Sequence, residues 1–117
     1  MELRDQQRLR KILEYCEDIQ ATVRRHGASY DAFMDDRDYQ HAVSFCVLQI
    51  GELVGGLSEE YRKATKSRIQ WQEIKGMRNI IAHNYGSIDL EIVWDVATIN
   101  VPELGLFCRD QLSGTEL

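Results

Sequence analysis

The chain has one proline, eight glycines and three cysteines in 117 residues, too few turn-formers for a protein built from many short strands. Cys16, Cys46 and Cys108 are odd in number, widely spaced and lack a CxxC pair, which excludes a disulfide framework and a thiolate zinc site. Buried apolar thiols are the expectation. His26, His41 and His83 are equally scattered, and none lies four residues from another His or Cys, so no metal and no cofactor are expected. No stretch approaches the ~18 consecutive apolar residues of a membrane span. The opening MELRDQQRLRK is too charged for a signal peptide. These absences lead us to expect a cytoplasmic protein with no membrane partner.

Hydrophobic residues make up 44% of the chain and charged residues 28%, as in a folded globular protein. The length accommodates one domain, residues 1–117, which buries roughly 65% of its unfolded surface. The net charge of −5 excludes a protein that coats nucleic acid over its whole surface. Charge is unevenly placed, however. Arg62, Lys63, Lys66, Arg68, Lys75 and Arg78, opposed only by Glu73, give the 61–78 window a net +5, so the remainder carries −10. A local basic patch on an acidic protein suits a phosphate-bearing ligand, although a solvated helix surface has the same composition.

The hydrophobic spacing is helical nearly throughout. Leu9, Ile12, Cys16, Ile19 and Val23 form a first stripe that Gly27 ends, and 28–36 has the look of a connector. A second helix carries the seam Tyr39, Val43, Cys46, Ile50, Leu53 and Leu57, with Phe45 and Leu48 off it. Gly55 and Gly56 weaken its end, and Ser58 with Glu59 and Glu60 opens a short helix. After a basic loop, a third main helix runs from about Trp71 to Tyr85, with Trp71, Ile74, Met77 and Ile81 inward and Gly86 ending it. Asp89 or Ser87 caps a fourth, carrying Ile92, Val93, Val96, Ile99, Leu104 and Phe107, in which Pro102 is expected to produce a kink. The expected fold is all-α, an antiparallel bundle of four to five helices.

The stretch Met77-Arg78-Asn79-Ile80-Ile81-Ala82-His83-Asn84-Tyr85-Gly86 places an Arg, a His and a Tyr at the end of a mostly apolar helix. Arg78 and Tyr85 fall ~20° apart around the axis, Asn79 and His83 share a neighbouring face, and ~140° separates Arg78 from His83. One helix alone presents that Arg–His pair poorly. Each residue also has an ordinary use: Arg78 as an ion-pair partner of Glu52 or Glu73, His83 as a helix-end cation, Tyr85 as a core aromatic.

Arg78-Asn79-x-x-x-His83-x-Tyr85 resembles the RX4HXY signature of HEPN domains of the HepT type. The likeness extends to Gln49-Ile50-Gly51-Glu52-Leu53 and Leu57-Ser58-Glu59-Glu60, to the run from Trp71 to Asn79, and to Ile92-Val93-Trp94-Asp95 with Pro102-Glu103-Leu104. It therefore spans roughly residues 39–104. The resemblance implies a HEPN-like helical fold and a toxin ribonuclease, paired with a minimal nucleotidyltransferase antitoxin, MntA, possibly in a hetero-oligomer. It also implies a two-fold homodimer in which both copies of the motif face one cleft, resolving the geometric difficulty of a single helix. Under that likeness Arg78 and His83 are catalytic, Asn79 supports them, and Tyr85 is the residue the antitoxin modifies with AMP.

Those residues suit metal-free RNA cleavage. A His with an unperturbed pKa of ~6.5 serves as base or acid, and the Arg fork bridges two phosphate oxygens. Arg62, Lys63, Lys66, Arg68 and Lys75 would supply weaker attraction to RNA phosphates. Two rivals share the sequence features: a non-catalytic HEPN unit that binds nucleotides, RNA or a nucleotidyltransferase, and a purely structural helical dimer.

Overall fold

A computed structural model describes residues 1–83 and 89–114, the side chains of 79–83 excepted. Helix α1 spans Leu3–Arg25, α2 Tyr30–Asp35, α3 Arg37–Gly55, α4 Glu59–Thr65 and α5 Trp71–His83. Helix α6 (Leu90–Asp95) continues through a π-helical turn (Val96–Asn100) into α7 (Val101–Ser113). Counting that last composite as one, the described residues form six helices and no strand. The all-α expectation holds, but the four-to-five-helix count is low because 28–36 contains α2. Its initiation is local: the Ser29 hydroxyl accepts from Ala32 N–H, while only Phe33 is deeply buried from this helix. One buried residue in six leaves too little periodicity to read.

Side-chain caps also start α3, α4 and α6. Asp36 accepts from Tyr39 N–H, Ser58 from Tyr61 N–H, and Asp89 from the Glu91 and Ile92 N–H groups. Helix α1 ends in a left-handed pair, Gly27 at φ 71° and Ala28 at φ 54°, closed by Ala28 N–H donating to Val23 C=O at 2.9 Å.

The core sits where α3 meets α1 and α5, and α7 packs on α1. The first stripe is as expected: Leu9, Ile12, Cys16, Ile19 and Val23 are all buried. The expected α3 seam is buried at Tyr39, Val43, Ile50 and Leu57 but departs from expectation at two positions. Val47 and Val54 are buried where Cys46 and Leu53 had been expected, and those two are half-buried. A helix flanked by two neighbours buries a wide arc, and the smaller Ser44 and Gly51 sit inside it at the close contacts.

The last helix is irregular next to Pro102. The irregularity lies upstream, in the π turn, where Val101 N–H donates to Val96 C=O. The wider turn lets Pro102 fall at the start of α7, where a missing N–H removes no helical bond. No single described helix is long and apolar enough to cross a membrane.

A candidate active site on helix α5

Helix α5 is fixed at its beginning by a buried polar chain. Trp71 Nε1 donates to Thr65 Oγ1 at 2.9 Å, and that hydroxyl donates to the Tyr61 carbonyl at 2.8 Å. Tyr61 in turn donates from its hydroxyl to Gln111 Oε1 at 2.7 Å. Along its inward side, Ile74 and Met77 face Val47, Ile50, Val96, Val101 and Leu104 across a gap of about 10 Å³, room for about one water molecule. Apart from Asn100 this lining is apolar, so beyond its first turn α5 is held by packing.

Arg78 lies on α5 directly against Gly51 of α3. A Cβ added to Gly51 would collide with the Arg78 Cβ and come within 3.1 Å of its Cγ. The absence of a side chain at Gly51 is therefore what lets the arginine stem lie flat on α3. Its Nε then donates to Glu52 Oε1 at 2.5 Å. Of the two acids considered for this arginine, Glu52 is the one it meets. The pair is part-exposed, with side-chain exposures of 36% and 52%, so its contribution to stability is about 0–1 kcal/mol. Its larger effect is directional, because a bond at Nε fixes the plane of the guanidinium.

The remaining motif residues stand as follows. Asn79 and His83 belong to the backbone of α5, and their side chains lie outside the described residues. Tyr85 and the expected stop at Gly86 lie outside them too. The Arg78–His83–Tyr85 constellation is thus placed only through Arg78.

The basic window divides by environment. Lys63 pairs with Glu59 at 3.2 Å along α4. Arg68 pairs with Asp110 at 3.0 Å and covers the Phe107 ring, 5.1 Å from its centroid. Lys66 and Lys75 are exposed, and Arg62 is half-buried on α4 with its Nε lacking a hydrogen-bond partner. Much of the +5 is therefore neutralised locally, and the window is not one continuous anion-binding surface. Two residues matter beyond the motif itself: Gly51, signalled by a glycine inside a helix at a cost of ~1 kcal/mol, and Glu52 beside it.

The "Ribonuclease HepT-like" family model matches residues 12–110. The chain is 33% identical over 96 residues to "Putative RNase TTE0752" of Caldanaerobacter subterraneus subsp. tengcongensis, covering 82% of this chain and 83% of that protein. It is 31% identical over 93 residues to "Putative RNase MJ1216" of Methanocaldococcus jannaschii, covering 80% and 74%. With "Probable ribonuclease HepT" of Thermococcus cleftensis it shares 25% identity over 96 residues, covering 78% and 86%. No solved structure matches significantly. By its family match across most of its length, and by these relatives, the chain belongs to the HepT-like ribonuclease family.

Proposed function

We propose that this chain is the toxin of a toxin–antitoxin module: a cytoplasmic, metal-independent endoribonuclease that acts as a two-fold homodimer. Its antitoxin is a minimal nucleotidyltransferase of the MntA kind, which silences it by transferring AMP to Tyr85. The observation that carries this reading is the setting of Arg78, seated on Gly51 and oriented by Glu52 at the head of Arg78-Asn79-x-x-x-His83-x-Tyr85. An arginine fixed in this way is preorganised for a phosphate.

In the reaction, His83 removes the proton from a ribose 2′-hydroxyl. The 2′-oxygen attacks the adjacent phosphorus, and the phosphorus–O5′ bond breaks. A second imidazole, supplied by the other protomer, protonates the departing O5′. The products are a 2′,3′-cyclic phosphate and a 5′-hydroxyl. Arg78 stabilises the charge on the phosphorane, and Asn79 orients the phosphate or the imidazole through its amide. In the silencing step, the Tyr85 oxygen attacks the α-phosphorus of ATP and pyrophosphate leaves. The AMP then sets a negative phosphate within reach of Arg78.

The test is RNA cleavage by purified protein in EDTA. The parent cuts, while His83→Ala loses about 10²–10⁴-fold in rate and Arg78→Ala about 10²–10³-fold, with helical circular dichroism unchanged. Equal cutting by parent and His83→Ala contradicts the assignment. No cutting by the parent, combined with RNA binding, favours the non-catalytic reading.

A further inference from the structure

A pair of arginines on α1, outside the basic window, reaches the end of α3. Arg8 Nε donates to the Gly56 carbonyl at 2.7 Å, and Arg4 Nη2 donates to the same oxygen at 3.1 Å. Two guanidinium groups from successive turns of α1 thus converge on one atom. The arrangement depends on Gly56: a Cβ there would stand 2.5 Å from Arg8 Nε and 2.7 Å from its Cζ. Among the described residues neither arginine pairs with a carboxylate. Asp5, the acid between them in sequence, is buried, with both its oxygens taken by Ser58, from the backbone N–H at 2.8 Å and the hydroxyl at 2.7 Å.

Position on α3 links this pair to the motif arginine. Glu52, which holds Arg78, and Gly56, which seats Arg8, are four residues apart. On an α-helix that separation is ~40° around the axis and ~6 Å along it. The carboxylate that orients Arg78 and the carbonyl that gathers Arg8 and Arg4 thus belong to successive turns at the end of α3, while the stem of Arg78 is seated on Gly51, ~140° around the axis from Gly56. The carbonyl uses one donor from each guanidinium, and each carries five.

We infer that Arg4 and Arg8 form an RNA-backbone subsite that holds a further phosphate of the strand whose scissile phosphate meets Arg78. This rests on the ribonuclease reading of the Arg78 site. It assigns to α1 a binding role that lies outside the motif and outside the 61–78 window. Contacts of this kind position the strand without reading its bases.

The measurement is fluorescence anisotropy of a short fluorescein-labelled single-stranded RNA with the full chain carrying His83→Ala, so that nothing is cut, over a range of salt. Losing two phosphate contacts lowers the slope of log affinity against log salt by about 1.4 for a single strand. Arg4→Gln with Arg8→Gln is expected to show that loss, and Arg4→Lys with Arg8→Lys to recover most of the slope, since a lysine still meets a phosphate as a point charge. If the double Gln variant does not fold, the exposed Arg4→Gln alone carries the test, with a fall of about 0.7. A lowered melting temperature with the slope unchanged overturns the inference, because it leaves these arginines only as a cap on the end of α3. Cleavage by the His83-containing parent is followed in parallel. A parent that cuts RNA while the Gln variants keep the full slope sinks this subsite alone. A parent that neither cuts nor binds RNA sinks the ribonuclease reading and the subsite with it.

Discussion

Gly51, Glu52 and Arg78 form a unit whose members have different kinds of effect. Gly51→Ala forces the Arg78 stem off α3, and we expect a destabilisation of about 1–3 kcal/mol with a loss of RNA cleavage beyond what stability explains. Glu52→Gln keeps a bond to Nε without the charge, so stability should move by less than about 1 kcal/mol. Cleavage should still fall, since the guanidinium is less firmly oriented. Thermal melts together with initial cleavage rates separate the two effects. Tyr85→Phe should cleave RNA normally and gain no AMP mass on incubation with the cognate nucleotidyltransferase and ATP. Intact-mass spectrometry reads this, and a mass gain that survives the substitution moves the modification elsewhere. The sequence singles out Arg78, His83 and Tyr85 because charged and aromatic types crowd an apolar helix end, and of these the structure places the Arg78 side chain. Gly51 and the Glu52 choice were not legible, because they depend on how near α5 comes to α3, and no single helix encodes that distance.

Helix starts and stops were the most legible features, since capping is local chemistry between residues two or three apart. Ser58 and Asp89 act as caps as read. The short α2 and the π turn escaped, the first for want of periodic apolar residues and the second because a proline reports a missing N–H without saying which turn will absorb it. Two substitutions test the element ends. Ala28 occupies a left-handed conformation that costs an L-residue about 1–2 kcal/mol, so Ala28→Gly should raise stability by about 1 kcal/mol in a denaturant melt. Asp5 is 2% exposed and serves the Ser58 cap of α4. Asp5→Ala leaves the Ser58 N–H without its partner and should cost about 1–3 kcal/mol.

At the scale of the molecule, the cysteines report the core. Burial pushes the Cys108 thiol from an ordinary 9.0 up to about 12, and burial with Asp18 nearby pushes Cys46 up to about 11. Cys16, the most enclosed, is raised furthest, again first by burial. A raised folded pKa means that the unfolded chain loses its thiol protons first. The stability these thiols contribute is therefore complete below pH ~9 and falls as the pH climbs toward 11 and 12. Denaturant melts from pH 8 to 11 should show this decline, and Cys108→Ala should make it shallower. The overall all-α architecture was open to sequence reading because the stripes repeat over many turns. How wide an arc of α3 turns inward was not, since that helix serves two neighbours at once.

The central claim is that the Arg78–His83 motif cuts RNA through the ribose 2′-oxygen without a metal. It is tested most directly on the substrate: once a cut site is mapped in EDTA, that single nucleotide is replaced by its 2′-deoxy form and the product ends are identified. We predict a 2′,3′-cyclic phosphate from the ordinary RNA and no cut at the deoxy position. Cleavage that persists there, or that requires added Mg²⁺, would contradict the account.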